Sequence, residues 1–182
     1  MFKNKIFSSI FLGLLISAIA GCGKGEDKTV TPPVRPKIAV SARLGDAPRV
    51  PQFRLNDLDG NPFDSDQLNG KVRVINFWAT WCIYCKIEIP DLNRLYDRYN
   101  SQGLEIVGIS LDQNGPGTVK RFMQSHPIEY KVLMGNQQVS QSFGGIVGLP
   151  TTFIVDRNGE VVRSFPGFVK VDIIENIVRT LL

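Results

Sequence analysis

Two cysteines separated by two residues, Cys82 and Cys85, follow directly on the run Asn76-Phe77-Trp78-Ala79-Thr80-Trp81. Side chains three apart on a helix are neighbours, and that distance suits a disulfide able to open and close with little backbone movement. Such a pair can exchange electrons with other thiols and disulfides. Because the pair follows an apolar strand, Cys82 is expected at the start of a helix. There the free backbone N–H groups and the positive end of the helix dipole favour thiolate over thiol. Cys82 is therefore the expected nucleophile.

The chain has 182 residues and three cysteines, and the third, Cys22, stands in a different setting. Lys3 and Lys5 give a basic start, Ile6 to Ala20 an apolar stretch, and Ile19-Ala20-Gly21 small residues just before the cysteine. This is the pattern of a secretory leader, too short for a comfortable membrane span. Ile19-Ala20-Gly21-Cys22 resembles the lipobox of bacterial lipoproteins, which implies cleavage after residue 21 and acylation of Cys22. More than one acyl chain gives stable attachment, at about 0.8 kcal/mol per buried CH₂. An uncleaved short anchor and an unlipidated leader are the alternatives.

Charge adds little to the functional reading. Removing residues 1–21 takes away Lys3 and Lys5 and no acid, so a net charge of +4 becomes +2. A near-balanced surface without Lys/Arg clusters points neither to nucleic acid nor to a polybasic membrane patch. Residues 22–47 contain Pro32-Pro33 and Pro36 with little periodic apolar content, and read as a tether. About 25 such residues span on the order of 25–30 Å as a coil, and more where proline extends them. Residues 48–182 remain as one domain of ordinary size.

That domain alternates strand and helix patterns, with no internal repeat. Phe53 and Leu55, Asp59-Gly60 and Pro62-Phe63 predict a short hairpin. Ser65 to Leu68 predicts one helical turn, and Val72 to Trp78 a strongly apolar strand. Ile87, Leu92, Leu95 and Tyr99 recur at helical spacing, with Pro90 expected to kink or restart the helix and Gly103 to end it. Leu104 to Leu111 reads as a buried strand, Thr118 to Ser125 as a helix, Tyr130 to Leu133 as a short strand and Val139 to Phe143 as a short helix. Thr151 to Val155 and Glu160 to Phe165 flank Asp156-Arg157-Asn158-Gly159, where Asn-Gly favours a tight turn; Lys170 to Leu182 closes as an amphipathic helix. The order predicts an α/β domain with a central mixed sheet and helices on both faces.

Phe77-Trp78-Ala79-Thr80-Trp81-Cys82-x-x-Cys85, with Gly148-Leu149-Pro150-Thr151-Thr152-Phe153 later in the chain, resembles the thioredoxin fold. More narrowly it is similar to the membrane-anchored thioredoxin-like proteins of the ResA and TlpA type, over roughly Ala47 to Leu182. The resemblance implies a three-layer α/β/α domain with an N-terminal β-hairpin and a central β-α insertion, here Leu111 to Leu133. It implies that Cys82 attacks, that Cys85 resolves the mixed disulfide, and that no cofactor is needed beyond the pair itself. It also implies that Pro150 is cis against the cysteines, leaving the Leu149 backbone free to pair with an extended substrate, with Trp81 shaping the contact surface or lying in the core. Glu88 matches a glutamate that could pass a proton to or from Cys85; a solvated glutamate on the helix face is the alternative.

Two residues depart from the pattern. Thioredoxin has a buried aspartate where this chain has Asn76, and an amide cannot accept that proton. Tyr84 stands where the branch usually has proline, a place at which glutaredoxins and some disulfide isomerases have tyrosine, so redox direction is left open. The implied partners are protein thiols or disulfides, with a membrane electron donor if the protein is a reductant, and the protein is expected outside the cytoplasm, anchored and monomeric. A structural disulfide is disfavoured because so short a loop gains little from closure. A metal-binding chaperone would want a histidine near the cysteines; the single histidine, His126, precedes Pro127 and is expected to be an exposed bystander. A thiol peroxidase of the peroxiredoxin type would want a proline and a threonine a few residues before a single peroxidatic cysteine, where this chain has Trp78-Ala79-Thr80-Trp81, without the proline. Gly144-Gly145 lacks the spacing and Lys-Ser/Thr of a phosphate loop.

Overall fold

A computed structural model of the protein describes residues 48–182. The leader, the tether and Cys22 lie outside the described residues. The apolar run after Gly70 forms the central strand of the sheet, β3 (Val72–Trp78), buried on both faces because helices cover each side. Around it lie β1 (Arg54–Asp57), β2 (Pro62–Asp64), β4 (Leu104–Ser110), β5 (Lys131–Met134), β6 (Thr151–Val155) and β7 (Val161–Pro166). The order across the sheet is β2-β1-β5-β4-β3-β6-β7. β3, β4 and β5 run parallel; β6, β7 and the β1–β2 hairpin add antiparallel strands at the two sides. The hairpin extends the central sheet through β1 against β5, with Asn56 opposite Met134.

Alternation along the strands sorts two cores. Val72, Val74 and Trp78 face α1 (Ile83–Tyr99), α2 (Pro116–Met123) and α4 (Val171–Leu181), whose Ile89, Leu92, Val119, Ile174 and Val178 complete that layer. Ile75, Phe77, Val107 and Ile109 face the other way, onto Phe53, Leu68 and α3 (Gln137–Ser142) with Phe143. The domain is thus a thioredoxin-like α/β/α sandwich around a mixed sheet.

Several details differ from expectation. α1 runs unbroken through Pro90, which lies on its exposed side and removes one amide there. Its buried stripe is Cys85, Glu88, Ile89, Leu92 and Leu95, and Ile87, expected inside, is half exposed. α2 begins two residues before Thr118, at Pro116, where proline's fixed φ suits a first helical turn. The β6–β7 connection is not a two-residue turn. Asp156 closes a longer loop by accepting from the backbone N–H of Asn158 and Glu160, with Gly159 at φ +84. That loop also receives the start of the domain, since Val50 N–H donates to Gly159 O and Val161 N–H to Pro48 O.

Candidate active site

Cys82 and Cys85 form a disulfide with Cα atoms 5.3 Å apart. β3 ends at Trp78, and Cys82 is the N-cap of α1, its Sγ accepting from the Cys85 N–H at 3.2 Å. The helix start thus places one backbone donor, the Cys85 N–H, on the first sulfur, which stands at the start of the helix as the strand-then-cysteine order predicted. Both cysteines are buried, Cys85 at 1% exposure and Cys82 at 6%. The rim of Cys82 is the part of the pair that meets solvent.

A further strand brings the distant motif to this place. β6 runs antiparallel to β3 with Thr151 opposite Phe77, so the residues preceding Thr151 arrive at the end of β3 that leads to Cys82. The Leu149–Pro150 peptide is cis, and Pro150 is buried. Pro150 O accepts from Gly167 N–H at 2.7 Å. Among the described residues the Leu149 N–H and C=O make no hydrogen bond, leaving a short unpaired main-chain edge at a half-buried residue.

Glu88 lies one turn beyond Cys85 on the inward face of α1, only 4% exposed. It is a core carboxyl, not a solvated one. Its Oε1 accepts from Val169 N–H at 3.1 Å and its Oε2 from Asn76 Nδ2 at 3.4 Å. Asn76 in turn donates to Thr152 Oγ1 at 2.9 Å. Burial pushes the carboxyl from its ordinary 4.5 up to about 7, against the two hydrogen bonds that favour its charged form. The position of thioredoxin's aspartate is therefore occupied by an amide that holds a carboxyl from the neighbouring helix.

Around the disulfide the surface is apolar. Trp81 is 69% exposed, which settles it as surface and not core, and Ile83, Tyr84, Ile87 and Phe168 are also exposed. Tyr84 and Phe168 face each other with ring centroids 5.8 Å apart. His126 is not the exposed bystander expected; it is half-buried and stacked on Phe122 at 4.3 Å. Among the described residues no cluster of three or more His, Cys, Asp or Glu side chains is assembled for a metal.

The sequence reading missed one group. Asp112, 7% exposed at the end of β4, accepts from Thr80 N–H at 2.9 Å, Thr80 Oγ1 at 2.6 Å and Ser110 Oγ at 2.9 Å. Its signal was a polar Ser-x-Asp at the carboxyl end of a buried parallel strand, where open α/β sheets place their sites.

This fold, with a helix-capping Cys82–Cys85 pair beside a buried carboxyl and a proline loop, defines a thioredoxin-like thiol-disulfide oxidoreductase. Residues 47–164 match the AhpC/TSA family, and the chain belongs to that family. Over 117 residues it is 34% identical to the thiol-disulfide oxidoreductase ResA of Bacillus anthracis, covering 64% of this chain and 67% of that protein. The ResA of Bacillus subtilis is 33% identical over 117 residues, covering 64% and 65%. A crystal structure of a thioredoxin-family thiol:disulfide interchange protein from Chlorobium tepidum superposes with a TM-score of 0.68 at 33% identity, over 75% of this chain and 97% of that one.

Proposed function

We propose that the protein is a lipid-anchored, extracytoplasmic reductant of protein disulfides, attacking through Cys82 and resolving through Cys85. The observation that carries this reading is the placement of Cys82 as the α1 cap, with Cys85 and Glu88 buried behind it. In the reduced protein the Cys82 thiolate attacks a substrate disulfide, forming a Cys82–substrate bond and expelling one substrate thiolate. Cys85 then gives its proton to Glu88, attacks Cys82 Sγ and expels the second substrate thiolate. The substrate gains two electrons and the Cys82–Cys85 pair becomes the disulfide. A carboxyl near pH 7 suits this transfer, because its pKa matches the operating pH. Leu149 pairs with an extended substrate segment, Pro150 walls the pair, and Trp81 supplies apolar contact. No cofactor is required.

A reductant outside the cytoplasm must be recharged, and a membrane electron donor is the proposed source. Apocytochromes, whose Cys-x-x-Cys-His must be reduced before haem attachment, are one substrate class; other envelope disulfides are another. The protein is taken to act as a monomer, tethered through Cys22. The test is to express Cys85→Ala in intact cells and recover partners linked to Cys82, since the mixed disulfide can no longer resolve. Disulfide-linked proteins released by dithiothreitol are expected; recovering none would count against the reading. The direction follows from the reduction potential, for which this class of dithiol spans about −270 to −120 mV. A thiol peroxidase is disfavoured because Trp78-Ala79-Thr80-Trp81, just before Cys82, lacks the proline of that class; peroxide consumption that survives Cys85→Ser would restore it.

A further inference from the structure

Cys82 follows a segment with no regular hydrogen-bond ladder of its own, yet that segment is held firmly. Leu111 N–H donates to Trp78 O at 2.8 Å, carrying the β3–β4 pairing one step past the strand ends and bringing Asp112 level with Thr80. Both donors of Thr80, the backbone N–H and the hydroxyl, then turn inward onto the Asp112 carboxylate. Trp81, the next residue, is thereby turned outward, and the Cys82 N–H closes a turn onto Ala79 O at 3.1 Å. A third donor, Ser110 Oγ, fixes the carboxylate itself.

We propose that Asp112 is a positioning residue for the redox pair: by anchoring Thr80 it holds Cys82 in its cap position at the start of α1. The proposal rests on the assignment of Cys82 as the attacking cysteine. A carboxylate near the pair disfavours a thiolate, so by charge alone Asp112 works against the nucleophile. Placement works the other way, since a sulfur held at the helix start is stabilised as thiolate by the donors there, and one that drifts from them is not. If geometry is what Asp112 supplies, deleting it must make Cys82 less reactive, the reverse of what removal of a negative charge would do.

The experiment is iodoacetamide alkylation of the reduced full-length protein from about pH 5 to 9, with the modified cysteine located by peptide mass spectrometry. Asp112→Ala is expected to slow Cys82 alkylation at pH 7 about tenfold and to move the midpoint of its pH–rate profile up by about one unit, because only the thiolate reacts. Asp112→Asn is expected to stay within about threefold of the parent, since its amide oxygen can still accept from Thr80 N–H while its NH₂ donates to a hydroxyl. Thr80→Val, which keeps the backbone donor and loses the hydroxyl, should fall between them. Glu88, one turn beyond Cys85 on the buried face of α1, is unchanged in all three variants. A folded Asp112→Ala with the parent's profile overturns the proposal, and so does one that reacts faster with a lower midpoint. Should Asp112→Ala fail to fold, the ordering of Asp112→Asn and Thr80→Val decides: parental rates in both overturn it. Alkylation of Cys85 before Cys82 in the parent would instead overturn the nucleophile assignment, and the proposal with it.

Discussion

The Glu88 carboxyl gives the domain a pH dependence of stability with a definite sign. Burial moves its pKa from 4.5 in the unfolded chain to about 7 in the folded one. Between those values the folded state holds a proton that the unfolded state has released, so stability falls as the pH rises through the window. At 1.36 kcal/mol per unit, complete ionisation costs about 3 kcal/mol by pH 8. Glu88→Gln removes the titration with little change of shape. The new amide oxygen can still accept from Val169 N–H, and Asn76 can turn its own oxygen toward the new NH₂, because Thr152 is a hydroxyl able to donate as well as accept. The assay is urea unfolding of the oxidised protein and of Glu88→Gln at pH 5, 6, 7 and 8, with the variant cancelling every other titrating group. The two should be close at pH 5, and the variant should gain up to about 3 kcal/mol by pH 8, or roughly 10 °C in Tm for a domain of this size. Parallel pH profiles would refute the reasoning, and a variant that loses stability most at high pH would reverse its sign.

Other consequences follow from the same geometry. Tyr84→Ser or Phe168→Ser, in the exposed ring pair, should leave Tm nearly unchanged and the rate with dithiothreitol intact, while raising KM for a protein disulfide several-fold in a coupled turnover assay. Leu92→Ala, at 1% exposure between α1 and the sheet, should destabilise by about 2–5 kcal/mol in denaturant titrations without moving the reduction potential. Asn136→Ala removes the cap that accepts from Val139 N–H at 2.8 Å, and should cost about 1 kcal/mol, seen as faster amide exchange in α3.

Much of the architecture was legible because its strands are written in apolar runs. Val72 to Trp78 and Leu104 to Ser110 needed no context to be read, and Cys-x-x-Cys after the first marked the end of the sheet where the disulfide lies. The stripe of α1 was harder. Its inward face includes Cys85 and Glu88, and a hydropathy reading passes over a charged residue and selects Ile87, which the fold leaves outside. Burial of Glu88 depends on Asn76 and Val169, 12 and 81 residues away in the chain, and no local pattern announces such partners. Asp112 escaped for the same reason, since its anchor at Thr80 lies 32 residues away. Pro90 misled in the opposite direction: its rule concerns a lost hydrogen bond, and on the exposed side of a helix water replaces it.

The clamp of Val50 and Pro48 onto the loop after β6 fixes where the chain enters the domain. β6 begins beside Phe77, near the disulfide, and ends beside Arg73, so the entry point lies at the opposite end of β3, about 20 Å away for a seven-residue strand. The point of entry and the disulfide thus share one sheet but stand at opposite ends of its central strand, so a contact made at one end does not crowd the other.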